Sequence, residues 1–200
     1  TGDRDAALAY ARAAIDLHPQ ATEARLFTAW VAATNARWAE AEEQYVEALK
    51  LEPKNQEALT YLAALYAETN RPDEAEATFK RLIAADPSYL SYYYLGNFYT
   101  KAGRPKEAIG AFETSVKKNP DLTAALTELA LLDEQIDDNR SAERTYRKLI
   151  SARPEASMPK ARLARLLLKT GRKKEAEKLL ADVGGRAVDS TQAQLQFGLI

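Results

Sequence analysis

The side chains that most often perform catalysis or bind metals are scarce in this sequence. Its 200 residues include no cysteine and one histidine, His18. Disulfides, thiol nucleophiles and two-histidine metal sites within one chain are therefore excluded. We find no glycine-rich phosphate loop, no serine-nucleophile motif and no pair of catalytic carboxylates. The sequence predicts a protein that is not an enzyme and that holds no metal and no cofactor.

Aromatic side chains are the strongest candidates for binding. Trp30 and Tyr93, the latter within a cluster of tyrosines, stand out in the sequence. Aromatic residues bring a large contact area at a low entropy cost, which is why they dominate binding hot spots. Two interpretations stay open for both residues: anchors for a partner, or packing against a neighbouring part of the chain.

Charge is balanced overall but unevenly distributed. With 28 Lys and Arg against 29 Asp and Glu, the formal net charge is -1, which argues against nucleic acid as a partner. Residues 160–178 hold eight basic and two acidic residues, whereas residues 40–76 hold three basic and ten acidic ones. These runs indicate either solvated helix faces or a surface that orients an acidic partner toward the C-terminal end. No apolar run is long enough to predict a membrane span.

A repeat organises the whole chain and must position these side chains. Five prolines are spaced by 34, 34, 33 and 34 residues, and six alanines keep the same register. The prolines are Pro19, Pro53, Pro87, Pro120 and Pro154, and the alanines are Ala7, Ala41, Ala75, Ala108, Ala142 and Ala176. Apolar residues at helical spacing precede each proline, and a second apolar stripe lies upstream beyond a short turn. Each repeat is therefore predicted to be a pair of antiparallel helices.

The register divides the chain into one predicted solenoid domain of successive repeats. We number each repeat so that its proline is position 32. The repeats are the second half of repeat 1 (1–21), repeat 2 (22–55), repeat 3 (56–88), repeat 4 (89–122), repeat 5 (123–156), repeat 6 (157–190) and the start of repeat 7 (191–200). This register predicts about twelve helices.

These repeats resemble the tetratricopeptide repeat (TPR). The resemblance rests on the alanines at position 20, the prolines at position 32 and the residue pairs at positions 7 and 8, which are Leu62-Ala63, Leu95-Gly96, Leu129-Ala130 and Leu163-Ala164. It implies an all-α, right-handed superhelix of stacked helix pairs, an α-solenoid with a concave binding groove. The alanine-rich composition resembles that of bacterial members.

The resemblance also implies a function and the residues that perform it. The chain is expected to be a scaffold that binds a partner peptide or helix in the groove, as part of a larger protein or assembly. In the family the groove is lined mainly by positions 2, 5, 9, 12 and 13 of each first helix. The peptide-binding candidates at or beside these positions are Leu26, Trp30, Tyr93, Asn97, Lys101, Leu131, Arg162, Arg165 and Lys169. The three basic residues of repeat 6 would pair with acidic groups of the partner.

Two other functions stay open at this point. The chain could be the docking or regulatory arm of an enzyme whose catalytic domain lies outside it. It could also self-associate through exposed solenoid ends, because the last residues do not resemble a polar cap; these are Leu195, Phe197, Leu199 and Ile200. The cytoplasm and the bacterial cell envelope are both compatible with the sequence.

Two departures from the TPR pattern predict local differences in packing. Asp133 occupies position 11, which is normally apolar, and repeat 6 lacks the proline and has Gly184-Gly185 near its end instead. We expect altered packing around Asp133, and an early helix end with a looser connection at Gly184-Gly185.

Overall fold

The computed structural model describes the backbone of residues 2–184 and the side chains of residues 6–181. Regular structure in this range is entirely α-helical. The helices are α1 (Gly2–Leu17), α2 (Thr22–Thr34), α3 (Trp38–Leu51), α4 (Gln56–Glu68), α5 (Pro72–Ala85), α6 (Tyr89–Lys101), α7 (Pro105–Lys118), α8 (Thr123–Gln135), α9 (Asn139–Ala152), α10 (Ser157–Lys169) and α11 (Lys173–Gly184). The all-α prediction is confirmed. The further helix predicted at 191–200, and the chain end expected to self-associate, lie outside the described residues.

The helices fall into two compact units that divide between Arg104 and Pro105. In the N-terminal unit α2 packs with α3 and α4 with α5, and each pair also contacts the helix that precedes it. Within this unit α2 contacts α4, and α4 contacts α6, so the first helices of repeats 2 to 4 form a row. In the C-terminal unit α8 packs with α9 and α10 with α11, while α7 packs on α8 and α9 on α10.

Small residues at position 20 let neighbouring helices approach closely. Five of the six alanines there are fully buried, namely Ala41, Ala75, Ala108, Ala142 and Ala176, and Ala7 in repeat 1 is half-buried. Four residues later the second helices of repeats 2 to 6 place a large side chain in the core, such as Tyr45, Phe79 or Phe112. Because protein cores are close-packed, alternating small and large residues at fixed positions give every repeat the same interlocking surface. This packing accounts for the register seen in the sequence.

The turn within each helix pair ends the first helix in the same way. Position 15 has a φ between 57° and 77° in all five described pairs, at Ala36, Asn70, Gly103, Asp137 and Gly171. The N–H of the next residue then donates to the carbonyl five residues earlier, as Arg71 does to Tyr66 at 2.8 Å. This is the hydrogen bond of a Schellman motif. It stops the first helix, and in repeats 2, 3, 5 and 6 the second helix packs back along the first.

A side-chain clamp joins repeat 2 to repeat 3. The Tyr66 hydroxyl donates to Glu42 Oε1 at 3.1 Å, and Arg71 Nη1 donates to Glu42 Oε2 at 2.6 Å. The Arg71 guanidinium carbon also lies 4.3 Å from the centroid of the Tyr66 ring, within the range of a cation–π interaction. The clamp ties the second helix of one repeat to the first helix and turn of the next.

The clamp is repeated once in full, is absent where repeats 4 and 5 meet, and returns in part between repeats 5 and 6, where Arg172 Nη1 donates to Glu143 Oε2 at 2.6 Å. Repeats 3 and 4 are joined by Glu76, Tyr99 and Arg104, with the Arg104 guanidinium 4.5 Å from the Tyr99 ring centroid. Where repeats 4 and 5 meet, the corresponding residues are Ile109, Asp133 and Asp138, which cannot form it. Asp133 is nonetheless 4% exposed, so the packing there buries a carboxyl group in place of a hydrogen-bonded tyrosine.

Candidate functional site

The first helices of repeats 2, 3 and 4 present a stripe of accessible side chains. Positions 2, 6, 9 and 13 are exposed or half-buried in α2, α4 and α6 alike, and steps of 4, 3 and 4 place them on one helix face. The stripe consists of Glu23, Phe27, Trp30 and Thr34 in α2, Glu57, Tyr61, Ala64 and Glu68 in α4, and Leu90, Tyr94, Asn97 and Lys101 in α6. Because these helices contact one another in sequence, the stripes lie side by side in the N-terminal unit.

Position 6 carries an aromatic ring in all three stripes. Its side chains are between 37% and 51% exposed. We call these residues the aromatic row: Phe27, Tyr61 and Tyr94. Large aromatic side chains are normally drawn into the core, so three accessible rings in register form a feature that core packing does not require.

A second aromatic ring supports each member of the row. The ring centroids of Trp30 and Phe27 are 6.2 Å apart, and those of Tyr93 and Tyr94 are 6.0 Å apart. Tyr61 lies 6.0 Å from the ring of Tyr45, which is buried in the core. Ring contacts at these distances are favourable and restrict side-chain rotation. The aromatic side chains of the row are therefore already restricted before a ligand binds, so binding costs less side-chain entropy.

A groove of about 470 Å³ runs between α4 and α6, with α5 contributing to its lining. The apolar lining residues are Tyr61, Ala64, Ala67, Phe79, Leu82, Leu90, Tyr94 and Phe98. The rings of Phe79 and Phe98 lie 5.4 Å apart, so α5 and α6 are packed together at this site. A mostly apolar cavity of this size with a few polar groups is typical of ligand-binding sites.

The charged groups in the lining are mainly acidic. Glu57, Glu68 and Asp86 contribute carboxylates, against the one ammonium group of Lys101. Lys101 Nζ lies 2.7 Å from Glu68 Oε1, and Asp86 accepts hydrogen bonds from the hydroxyls of Ser88 and Ser91. Glu57 forms no ion pair with any residue that the structure describes. The groove thus favours a partner with a positive charge.

Several accessible hydrogen-bond donors at this surface have no partner within the described part of the protein. The hydroxyls of Tyr61 and Tyr94, the amide of Asn97 and the indole N–H of Trp30 have no hydrogen-bond partner among the described residues. All four belong to the stripes and all four remain accessible. A partner that offers carbonyl acceptors could satisfy them.

The structure places the sequence-predicted residues of the N-terminal unit in different environments. Asn97 and Lys101 line the groove, and Trp30 is exposed beside Phe27. Tyr93 is half-buried against Tyr94 and lies outside the groove lining. Leu26 is 6% exposed, so it packs in the core and offers a partner little surface.

The four predicted residues of the C-terminal unit lie on α8 and α10. Leu131 is half-buried on α8. Arg165 Nη2 lies 2.6 Å from Glu134 Oε2, Arg162 Nη1 lies 3.9 Å from the same oxygen, and Lys169 Nζ lies 2.6 Å from Asp137 Oδ1. These basic groups already have acidic partners in repeat 5. An acidic ligand would have to compete with those partners.

Reasoning from the sequence missed the aromatic row. The family pattern favours position 5 as a groove position, but Leu26 is buried there and Thr60 Oγ1 donates to the Gln56 carbonyl at 2.7 Å. The signal was present as an aromatic residue at position 6 of three consecutive repeats, followed by Glu128 and Arg162 in repeats 5 and 6. Comparing one position across all repeats would have found it.

Two other site classes find no support in the described part of the chain. No group of three His, Asp or Glu side chains within it is arranged to hold a metal ion. None of its helices has the length and apolar character needed to cross a bilayer.

Family models and solved structures agree with the geometry. A tetratricopeptide repeat model matches residues 32–96 and 137–196, and a second one matches residues 1–45 and 70–123. No protein with curated annotation has significant sequence similarity to the chain.

Three solved structures illustrate the likeness in fold. The crystal structure of MamA protein is 21% identical, with a TM-score of 0.69, over 88% of this chain and 93% of that one. YrrB, described as a TPR protein with an unusual peptide-binding site, is 16% identical, with a TM-score of 0.68, over 93% and 96%. A tetratricopeptide repeat protein from Parabacteroides merdae is 21% identical, with a TM-score of 0.68, over 98% and 78%. These identities show a common fold alone.

The register, the helix pairs and the family models lead to the same assignment. The first model covers more than half of the sequence, and the prolines, alanines and turns that carry the repeat recur throughout the described residues. This chain belongs to the tetratricopeptide repeat family.

Proposed function

We propose that the aromatic row and the groove between α4 and α6 bind a polypeptide segment of a partner protein. TPR proteins are generally non-catalytic scaffolds for protein–protein interaction, and the proposal gives this chain that role. The observation that carries it is the alignment of three accessible, ring-supported aromatic side chains on adjacent helices beside an apolar groove.

Burial of these rings would supply the binding energy. An aromatic side chain can bury roughly 150–250 Å², and apolar burial contributes about 25 cal/mol per Å². Covering the exposed fraction of three rings would therefore contribute several kcal/mol before the entropy cost of association. The row lies on helices rather than loops, so its geometry is held by the core of the N-terminal unit.

The charge of the groove indicates the character of the partner. The lining is mainly acidic and Glu57 is unpaired among the described residues, so we expect a segment with apolar side chains and at least one Lys or Arg. YrrB, of the same fold, has a peptide-binding site by its description, which supports a peptide as the ligand class. An acidic partner near Arg162, Arg165 and Lys169 is a separate proposal, which the ion pairs of these residues with Glu134 and Asp137 make less favourable.

Retention of partner proteins tests the proposal. The immobilised protein and its Tyr61→Ala/Tyr94→Ala variant would be exposed to lysate of the source organism, and the retained proteins identified by mass spectrometry. We expect at least one protein to be retained by the wild type and lost from the double variant, because two of the three ring anchors are removed.

A matched control separates the row from exposed tyrosines in general. Tyr10 on α1 is 78% exposed, more than either row tyrosine. Tyr10→Ala should retain the same partner as the wild type, and circular dichroism should show unchanged helicity in all variants. Equal retention by the wild type and a folded double variant would contradict the proposal.

A further inference from the structure

We propose that the segment bound by the aromatic row is proline-rich and adopts the polyproline II conformation, with a basic residue near Glu57. This inference rests on the function proposed above and names the class of its ligand. Proline-rich segments dock on aromatic-lined grooves in other recognition domains because they are extended before binding and lose little entropy.

The spacing expected for a row on adjacent packed helices is close to the period of a polyproline II helix. Phe27, Tyr61 and Tyr94 occupy the same position on helices that contact one another in sequence. Packed helices have axes roughly 8–10 Å apart, and one polyproline II turn of three residues rises about 9 Å. Each repeat of the N-terminal unit would therefore meet one turn of the ligand, with proline rings seated between successive aromatic side chains.

The accessible hydrogen-bond donors of this surface also favour this ligand. A proline lacks the backbone N–H, and a polyproline II helix makes no internal hydrogen bonds, so its carbonyl oxygens remain free acceptors. Tyr61, Tyr94 and Asn97 offer donors without partners among the described residues. The tyrosines thus supply both the ring for packing and the hydroxyl for a carbonyl.

An α-helical ligand fits these features less well. Its backbone carbonyls are satisfied within the helix, so the tyrosine hydroxyls and the Asn97 amide would face groups that do not need them.

Charge complementarity indicates the second feature of the ligand, a basic residue near Glu57. Glu57 precedes Tyr61 by one helical turn on the same stripe and has no ion-pair partner among the described residues. An arginine or lysine next to the proline-rich stretch could pair with it, while Asp86 and Glu68 add to the negative field of the groove. Binding should therefore weaken with added salt.

Titration of labelled peptides tests the proposal by fluorescence anisotropy. The first peptide has about twelve residues, which span roughly 37 Å in polyproline II, with proline at most positions and one arginine. The second replaces its prolines with alanine, which favours a helix, and keeps the arginine. We expect the proline peptide to bind about tenfold more tightly or better, and Glu57→Gln to reduce its affinity and the salt effect.

Three variants divide the roles of ring and hydroxyl. Tyr94→Ala should weaken binding of the proline peptide about tenfold or more, because a ring anchor is lost. Tyr94→Phe keeps the ring and should lose only the smaller part of that affinity, whereas Tyr10→Ala should leave it unchanged.

The outcomes distinguish this inference from the broader function. Equal affinity for the two peptides, preference for the alanine peptide, or no measurable binding of the proline peptide would overturn the proline-rich assignment. The same would follow if Tyr94→Ala and Tyr10→Ala behaved alike. In each of these cases a partner retained through Tyr61 and Tyr94 in the lysate experiment would still uphold the binding function of the groove.

Discussion

Position 15 of each repeat is where a single residue decides the turn between two helices. All five described residues there have positive φ, and two of them are glycine, one asparagine and one aspartate. Glycine adopts this conformation without steric cost, and Asn and Asp tolerate it. Ala36 is the exception, with a φ of 57° and a β-carbon in an unfavourable position. The turn of repeat 2 thus forms at a cost that the other turns largely avoid.

Ala36→Gly is therefore expected to stabilise the protein. Removing the β-carbon relieves about 1 kcal/mol of backbone strain, and the greater freedom of glycine in the unfolded chain offsets part of the gain. We expect the free energy of unfolding to rise by roughly 0.5 kcal/mol, measured by urea denaturation. Gly103→Ala, at φ 68° with open space around its β-carbon position, should destabilise instead. Loss of stability in Ala36→Gly would show that the turn is not strained.

Adjacent helices are held together by different means along the chain. The clamp of Glu76, Tyr99 and Arg104 satisfies a carboxylate between α5 and α6, and hydrogen bonds from Lys80 and Arg104 lower the pKa of Glu76 to about 2. Between α7, α8 and α9, burial raises the pKa of the Asp133 carboxyl to about 6, with the charges of Asp138 and Glu113 adding to the shift and Arg144 opposing it. The ionised Glu76 therefore stabilises the contact between α5 and α6, whereas the buried carboxyl group of Asp133 weakens the packing around α8.

Asp133→Asn should stabilise the protein near pH 7. The folded state holds the Asp133 proton more tightly than the unfolded chain, whose pKa is close to 3.8. Stability is therefore lost as pH rises from about 4 to 6, and above pH 6 the wild type bears the full cost of a buried charge. We expect a gain of about 2 kcal/mol for the variant at pH 7 and almost none below pH 4, measured by urea denaturation at each pH.

Glu76→Gln is a control for which the change in stability and its pH dependence should have the opposite sign. Because the folded-state pKa of Glu76 lies below its unfolded value, its contribution is present above about pH 4.5 and is lost as pH falls toward 2. Partial exposure screens the interaction, so the variant should lose about 1–2 kcal/mol at pH 7. If the stability difference between Asp133→Asn and the wild type were the same at pH 4 and pH 7, the buried-acid explanation would be wrong.

On the scale of the whole molecule, the sequence predicts the architecture better than it predicts the proposed binding surface. The spacing of prolines and alanines determines the helix pairs because each repeat needs its small residue and its large core residue at fixed positions. The accessible face was harder to predict, since positions 5 and 6 differ by about 100° of rotation. Packing of neighbouring helices decides that Leu26 is buried and Phe27 is exposed.

The basic residues of repeat 6 show a second limit of prediction from the sequence. Their excess in the sequence suggests an open positive surface, yet Arg165 and Lys169 pair with Glu134 and Asp137, which lie 31 and 32 residues earlier. Such pairs join one repeat to the next, so they depend on the angle between repeats and not on local composition. The environment of Asp133 was easier to predict, because a charged residue at the normally apolar position 11 already indicated unusual packing.

Site-specific photo-crosslinking would test the central claim, that a partner polypeptide occupies the groove between α4 and α6. A photoreactive amino acid would replace Ala64, an exposed residue of the groove lining, or Ala77, an exposed residue of α5 outside that lining. We predict that the partner crosslinks to position 64 and not to position 77, and that Tyr94→Ala abolishes the adduct. Crosslinks to position 77 alone, or to both positions regardless of Tyr94, would contradict the account.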